Sequence, residues 1–306
     1  MNLPIPENFA RTYREMLGEA GDRWLADLPG KIKELERRWD IQVLAHFELS
    51  YNYVARAVRS DGEAVVLKLG YPNRELTSEI AALRHLDGRG IVRLFEASAE
   101  EGALLIERLE PGLPLVDLSD DAEATRIAAQ VMRSLWTPAP TGPKHELIPI
   151  ESWYEGFNRL RKTFHGGTGL FPAHLVDRAE QLYLELTQSS GGPMLLHGDL
   201  HHWNILSAQR APWLALDPKG IIGEAEYEVG AFLRNPKPDL VGVETLLKAL
   251  PRRLAIFQEM LGFDPQRLLA WSLYQAVLSA WWTYEDHHHL AEPMIAFAEG
   301  HLVLMK

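Results

Sequence analysis

The 306-residue chain is 46% hydrophobic and 24% charged, which provides for a large core in one or two domains and excludes disorder as its main state. Lysine plus arginine (31) against aspartate plus glutamate (42) gives a formal charge of -11, which argues against a nucleic-acid partner and suits a cationic small molecule. The absence of cysteine excludes disulfides, thiolate catalysis and Cys-ligated zinc.

Residues 6–38 read as helical, with Phe9, Tyr13, Met16 and Leu17 at helical spacing and Pro29-Gly30 predicted to break the run. The opening residues lack the apolar core of a signal peptide. No segment reaches the run of about 18 apolar residues that a membrane helix needs. The expectation is therefore a cytoplasmic protein with no membrane partner. The stretches "IQVLAHFEL" and "YVARAVRSDGEAVVLKLG" then alternate like strands, and Asp61-Gly62 marks a hairpin turn. "RELTSEIAALRHLDGRG" follows as an amphipathic helix that ends at a glycine. "IVRLFEASAEEGALLIERL" reads as a second strand pair turning near Gly102. Three strands, a helix and two strands predict a small, mostly antiparallel sheet with one helix packed on it. "EPGLPL" punctuates the change to helical patterns at 121–135, 153–164, 172–189, 243–261 and 265–287. The predicted class is α+β in two lobes, 1–107 and 108–306, with 1–40 as a helical extension that either caps the small lobe or closes over the cleft.

Within the helical half, "MLLHGDLHHWNIL" (194–206) places Asp199 and Asn204 among three histidines, between apolar runs. His197 and His201 have the i, i+4 spacing of a helical zinc pair, but Gly198 and Asp199 disfavour a helix there. A strand opening into a loop points the two imidazoles apart. The alternative is phosphoryl transfer. Asp199 would accept the proton of an attacking hydroxyl, while Asn204 and Asp217, the latter ending the next apolar run "LALDPKG", would hold Mg2+ against a triphosphate. Upstream, Lys68 is the lone charge in the strand "AVVLKL", and Glu79 lies eleven residues on in the predicted helix. Alone, the two would read as a surface ion pair; with Asp199, Asn204 and Asp217 following in order, they read as the phosphate-binding pair of a kinase.

These segments resemble the aminoglycoside phosphotransferases, a branch of the protein-kinase-like fold. "HGDLHHWNIL", "ALDPKGIIGEAEYEVGAFLRNP", "ALLIERLEPGLPL" and "AVLSAWWTYED" look most like the streptomycin kinase and hydroxyurea phosphotransferase subgroup, over roughly 44–286. The resemblance implies an ATP- and Mg2+-dependent kinase acting on a hydroxyl of a small cationic molecule. It further implies Asp199 as catalytic base, Asn204 and Asp217 as Mg2+ ligands, and Lys68 on the α and β phosphates, held by Glu79. The backbone near Glu107 and Leu109 would read adenine. Ser50 and Asn52, in the turn "LSYNYV", would hydrogen-bond phosphate where protein kinases use a glycine-rich loop. His197 would bond the loop backbone. For the acceptor, Glu228, Trp281, Glu285 and Asp286 are candidates, since 281 and 285, and 282 and 286, share helical faces. Core tryptophans and solvated acids are the plainer reading of that helix. Three other functions remain: a kinase for a sugar, amino alcohol or hydroxy-amino acid, a non-catalytic nucleotide-binding protein, and a zinc hydrolase. The oligomeric state is not legible.

Overall fold

The computed structural model describes residues 5–142 and 146–305. Two helices, α1 (Glu7–Leu17) and α2 (Glu19–Trp39), precede strands β1 (Ile41–His46), β2 (Tyr53–Arg59) and β3 (Ala64–Leu69). Helix α3 (Arg74–Leu86) and strands β4 (Leu94–Ser98) and β5 (Ala103–Glu107) complete the first lobe. The five strands form one antiparallel sheet in the order β1-β2-β3-β5-β4, matching the predicted sequence of elements. The helical break differs from expectation. It falls at Gly18, whose φ is +55°, and Pro29 lies inside α2. Proline removes one backbone donor, and α2 keeps its course because Trp24, Leu28 and Leu35 bury one continuous stripe against the sheet.

Strand alternation decides what each face of the sheet meets. Val65, Leu67 and Leu69 of β3 pack under α1 and α2 with Phe9, Tyr13 and Trp24. Val66, Leu104 and Ile106 point the other way, toward Ile80 and Leu83 of α3. Lys68 shares that inner side with Val66. Residues 5–39 thus cap the outer face of the small sheet and leave its inner side to α3.

The second lobe is mostly helical: α4 (Asp121–Leu135), α5 (Glu151–Thr163), α6 (Ala173–Gln188), α7 (Ala225–Leu233), α8 (Pro238–Val241), α9 (Val243–Leu261), α10 (Pro265–His287) and α11 (Glu292–Leu304). Helix α10 is its axis, buried almost all round from Leu268 to Trp281 and packed on α5, α6, α7, α9 and α11. Short strands carry the loops between helices. β6 (Pro111–Pro114), β10 (Ile205–Ala208) and β11 (Trp213–Ala215) form one sheet. β7 (Thr137–Pro138), β8 (Ile148–Pro149), β9 (Met194–Leu196) and β12 (Ile221–Gly223) form another. Among the described residues no helix is long and apolar enough to cross a membrane.

Candidate active site

The predicted lysine–glutamate pair forms in the interior. Lys68 and Glu79 are 5% and 6% exposed, and the Lys68 ammonium donates to both Glu79 oxygens at 2.7 Å. It also contacts Asp217 Oδ1, from the far lobe. Two carboxylates around one ammonium leave one negative charge in excess. Burial pushes Glu79 up to about 7 against the pull of Lys68. Asp217 goes the other way: burial would raise it, but Lys68 and Lys219 hold it well below the usual carboxylate range.

β9 opens at His197 into a loop, as the glycine-aspartate pair implied, and no helix joins His197 to His201. Gly198 has φ +87°, and a Cβ there would lie 2.2 Å from Ile221 Cγ1, so only glycine lets the loop pass over β12. His197 is fully buried and binds backbone on two sides, with Nε2 2.8 Å from the Leu216 carbonyl and Nδ1 accepting from the Asp199 N–H at 3.3 Å. Burial lowers its pKa to about 4, so the ring is neutral.

Glu228 corrects the sequence reading. Its side chain does not open to a cleft: the carboxylate is 0% exposed and accepts the N–H groups of His197 at 2.6 Å and Gly198 at 2.9 Å. It comes from the first turn of α7 and pins the loop from behind. Burial pushes it up to about 7 despite these donors.

Asp199, on the open side of this loop, is bound by a residue the sequence did not single out. Arg234 donates to Asp199 Oδ1 at 2.8 Å, and His201 Nε2 lies 3.7 Å from Oδ2. Burial raises the Asp199 carboxyl, but His201, Arg234 and Lys219 outweigh it, and the group stays ionised below its ordinary range. Arg234 belongs to "AFLRNP", where an arginine ending the apolar run "VGAFL" was the available signal.

Asn204 donates through Nδ2 to the Asp199 carbonyl at 3.0 Å, which leaves its oxygen as the free end. Its own carbonyl accepts the Leu216 N–H at 3.0 Å, tying this loop to the one that carries Asp217. Asp217 has φ +62°, a left-handed conformation uncommon for a residue with a side chain and often retained at functional positions. One amide oxygen and one carboxylate, in a site with excess negative charge, fit a Mg2+ ion that keeps waters and takes its remaining ligands from phosphates. Zinc fits poorly, since among the described residues no group of three His, Asp or Glu side chains could hold a metal.

At the other end, Ser50 is exposed in the β1–β2 turn, and Asn52 lies over Gly70, where a Cβ would be 2.3 Å from Asn52 Oδ1. The turn is held by the N-terminal helices: Tyr13 donates its hydroxyl to the Tyr51 carbonyl at 3.0 Å. The Glu107 N–H is committed to the Arg93 carbonyl, and its side chain to Arg210 at 2.8 and 3.0 Å. Leu109 follows β5, half-buried against the core.

Three acceptor candidates on α10 separate. Trp281 is 2% exposed and packs against Phe164, Phe171 and Tyr284, so it is core. Glu285 is matched by a two-pronged ion pair with Arg159 at 2.6 and 2.8 Å. Both correct the expectation, because i, i+4 spacing gives a shared face without saying what that face meets. Asp286 remains. Its carboxyl is raised by burial and by Glu285 and Glu75, and it in turn raises the Tyr51 hydroxyl, which puts it within electrostatic reach of the small lobe.

Comparisons with known proteins identify the family. Residues 40–287 match the family model described as "Aminoglycoside/hydroxyurea antibiotic resistance kinase". The chain is 30% identical over 300 residues to streptomycin 6-kinase of Streptomyces glaucescens, covering 95% of this chain and 94% of that one. It is 31% identical over 310 residues to hydroxyurea phosphotransferase of Kitasatospora aureofaciens, covering 97% and 85%. Among solved structures, aminoglycoside phosphotransferase APH(4)-Ia in complex with ADP and hygromycin B superposes with a TM-score of 0.59 at 17% identity, over 89% of this chain and 96% of that one. That likeness supports the protein-kinase-like fold. With the family match spanning most of its length, the protein belongs to the aminoglycoside/hydroxyurea antibiotic resistance kinases.

Proposed function

We propose that the protein transfers the terminal phosphoryl group of ATP to a hydroxyl of a streptomycin-type aminoglycoside. The observation that carries this reading is the convergence of Lys68, Glu79 and Asp217 within contact distance, with Asp199 and Asn204 on the adjoining loop. In this reading nucleotide lies between lobes 1–107 and 108–306. Lys68, held by Glu79, orients the α and β phosphates, and Ser50 and Asn52 line the turn above them. The carbonyl of Glu107 and the N–H of Leu109 read adenine. Asn204 and Asp217 hold Mg2+, which when bound offsets the charge of the triphosphate.

Asp199 is the residue at the acceptor. A carboxylate held so low is a weak base, so it aligns the hydroxyl and receives its proton as the new bond forms. The acceptor oxygen bonds to phosphorus, the bond from phosphorus to the departing ADP oxygen breaks, and the proton ends on Asp199. Glu228 and His197 fix the loop that sets this geometry, where small misplacements are costly. Asp286 and the overall negative charge support a cationic acceptor.

The test is a host carrying the gene, grown on streptomycin, with purified protein assayed against a panel of aminoglycosides, sugars and amino alcohols with labelled ATP. Resistance and transfer to streptomycin are expected, and both should vanish in Asp199→Ala. Transfer confined to a sugar or amino alcohol would replace the antibiotic reading with a metabolic one.

A further inference from the structure

Lys219, two residues beyond Asp217, has no part in the roles above. Its backbone is fixed on both sides: its N–H donates to the His197 carbonyl at 2.7 Å, and the next carbonyl, of Gly220, accepts Ser78 Oγ at 2.9 Å. Gly198 leaves room for the stem, since a Cβ there would lie 3.2 Å from Lys219 Cβ. The side chain therefore starts between the Asp199 loop and the Asp217 loop. Its ammonium ends 3.1 Å from Glu75 Oε2, on the same face of α3 as Glu79. One cation thus starts between the loops of Asp199 and Asp217 and ends on the first turn of α3.

Phosphoryl transfer spreads charge over the three oxygens of the moving group and needs donors there. The nearby cations are otherwise engaged. Lys68 is held by Glu79 and Asp217, and Arg234 by Asp199. Burial biases His201 toward its neutral form, against the pull of Asp199. Glu75, with its side chain half exposed, is a weak holder, since solvent screens such a pair. We infer that Lys219 leaves Glu75 when nucleotide enters and binds the terminal phosphate, with Glu75 as its resting partner. This assignment rests on the phosphotransferase reading.

The experiment measures binding of Mg2+ with ADP, and of Mg2+ with a non-hydrolysable ATP analogue, by calorimetry. Lys219→Met should lose at least tenfold in affinity for the analogue while ADP affinity changes less than twofold, and Lys219→Arg should recover part of the loss. Glu75→Gln frees the lysine and should tighten analogue binding two- to fivefold, leaving ADP unchanged. The Glu75 variant carries the test if Lys219→Met fails to fold. Equal losses for both nucleotides, or no change in either, would make Lys219 a strut between the lobes and overturn the assignment. A wild-type protein that binds neither nucleotide defeats the phosphotransferase reading itself, and this assignment with it.

Discussion

Replacing Glu228 by glutamine tests whether the loop that presents Asp199 is held from behind. The wild-type carboxylate accepts two backbone N–H groups, at 2.6 and 2.9 Å, in a fully buried site. Glutamine keeps one oxygen and sets an NH2 group against the other N–H, so one charge-assisted bond is lost and a buried donor goes unmatched. A bond to a charged group contributes about 1.5–3 kcal/mol, and an unsatisfied buried donor costs about 1–3 kcal/mol. Glutamine also removes a charge that burial disfavours, which offsets part of this. The expected net loss is about 2–4 kcal/mol in urea-induced unfolding followed by circular dichroism. Because His197 and Gly198 lead directly into Asp199, kcat should fall by about 10- to 100-fold with little change in KM for ATP. A variant within about 0.5 kcal/mol of wild type and with unchanged kcat would refute the account of the loop.

The same residue enters a pH prediction. His197 and His301 are lowered by burial to about 4, His202 well below its ordinary value and His201 in the same direction, so the unfolded chain takes up more protons at these four sites as pH falls below 6.5. Glu79 and Glu228, raised by burial to about 7, do the reverse and take up two protons in the folded state first. The four histidines outnumber the two carboxyls, so stability should decline as pH falls from roughly 6 to 4.5. Glu228→Gln should steepen that decline, and equal slopes in chemical denaturation would contradict the assignment. Gly198→Ala sets a Cβ 2.2 Å from Ile221 Cγ1 at a left-handed φ and should cost about 2–5 kcal/mol with loss of turnover, read by thermal melting and activity. Tyr13→Phe removes one hydrogen bond of about 1 kcal/mol to the β1–β2 turn and should raise KM for ATP several-fold while sparing kcat. A change in kcat alone would show that the turn does not depend on it.

What was legible in the sequence was whatever depended on near neighbours. Alternation along β3 showed Lys68 as an exception, and α3 followed closely enough to offer Glu79. Asp199 and Asn204 share one loop, and the glycine between them and β9 already argued against a helix. Long-range partners left no such trace. Arg234 meets Asp199 across 35 residues and Lys219 meets Glu75 across 144. Periodicity misled where an element lies at the centre of its lobe. Helix α10 is buried on nearly every side, so the pairing of Trp281 with Glu285 carried no information about solvent, and one proved to be core while the other turned to Arg159. Helix α11 was missed because "MIAFAEGHLVL" is apolar without a clear stripe, as expected of a segment packed on three others.

The bond from Tyr13 to Tyr51 joins the beginning of the chain to the rim of the proposed nucleotide site. Trp24 stacks on Tyr13 at 4.3 Å, so the anchor forms only once the first two helices have folded back on each other. A truncation that spared every motif of the kinase would therefore loosen the β1–β2 turn. Fusions or tags placed ahead of α1 belong in the kinetic comparison as variables in their own right.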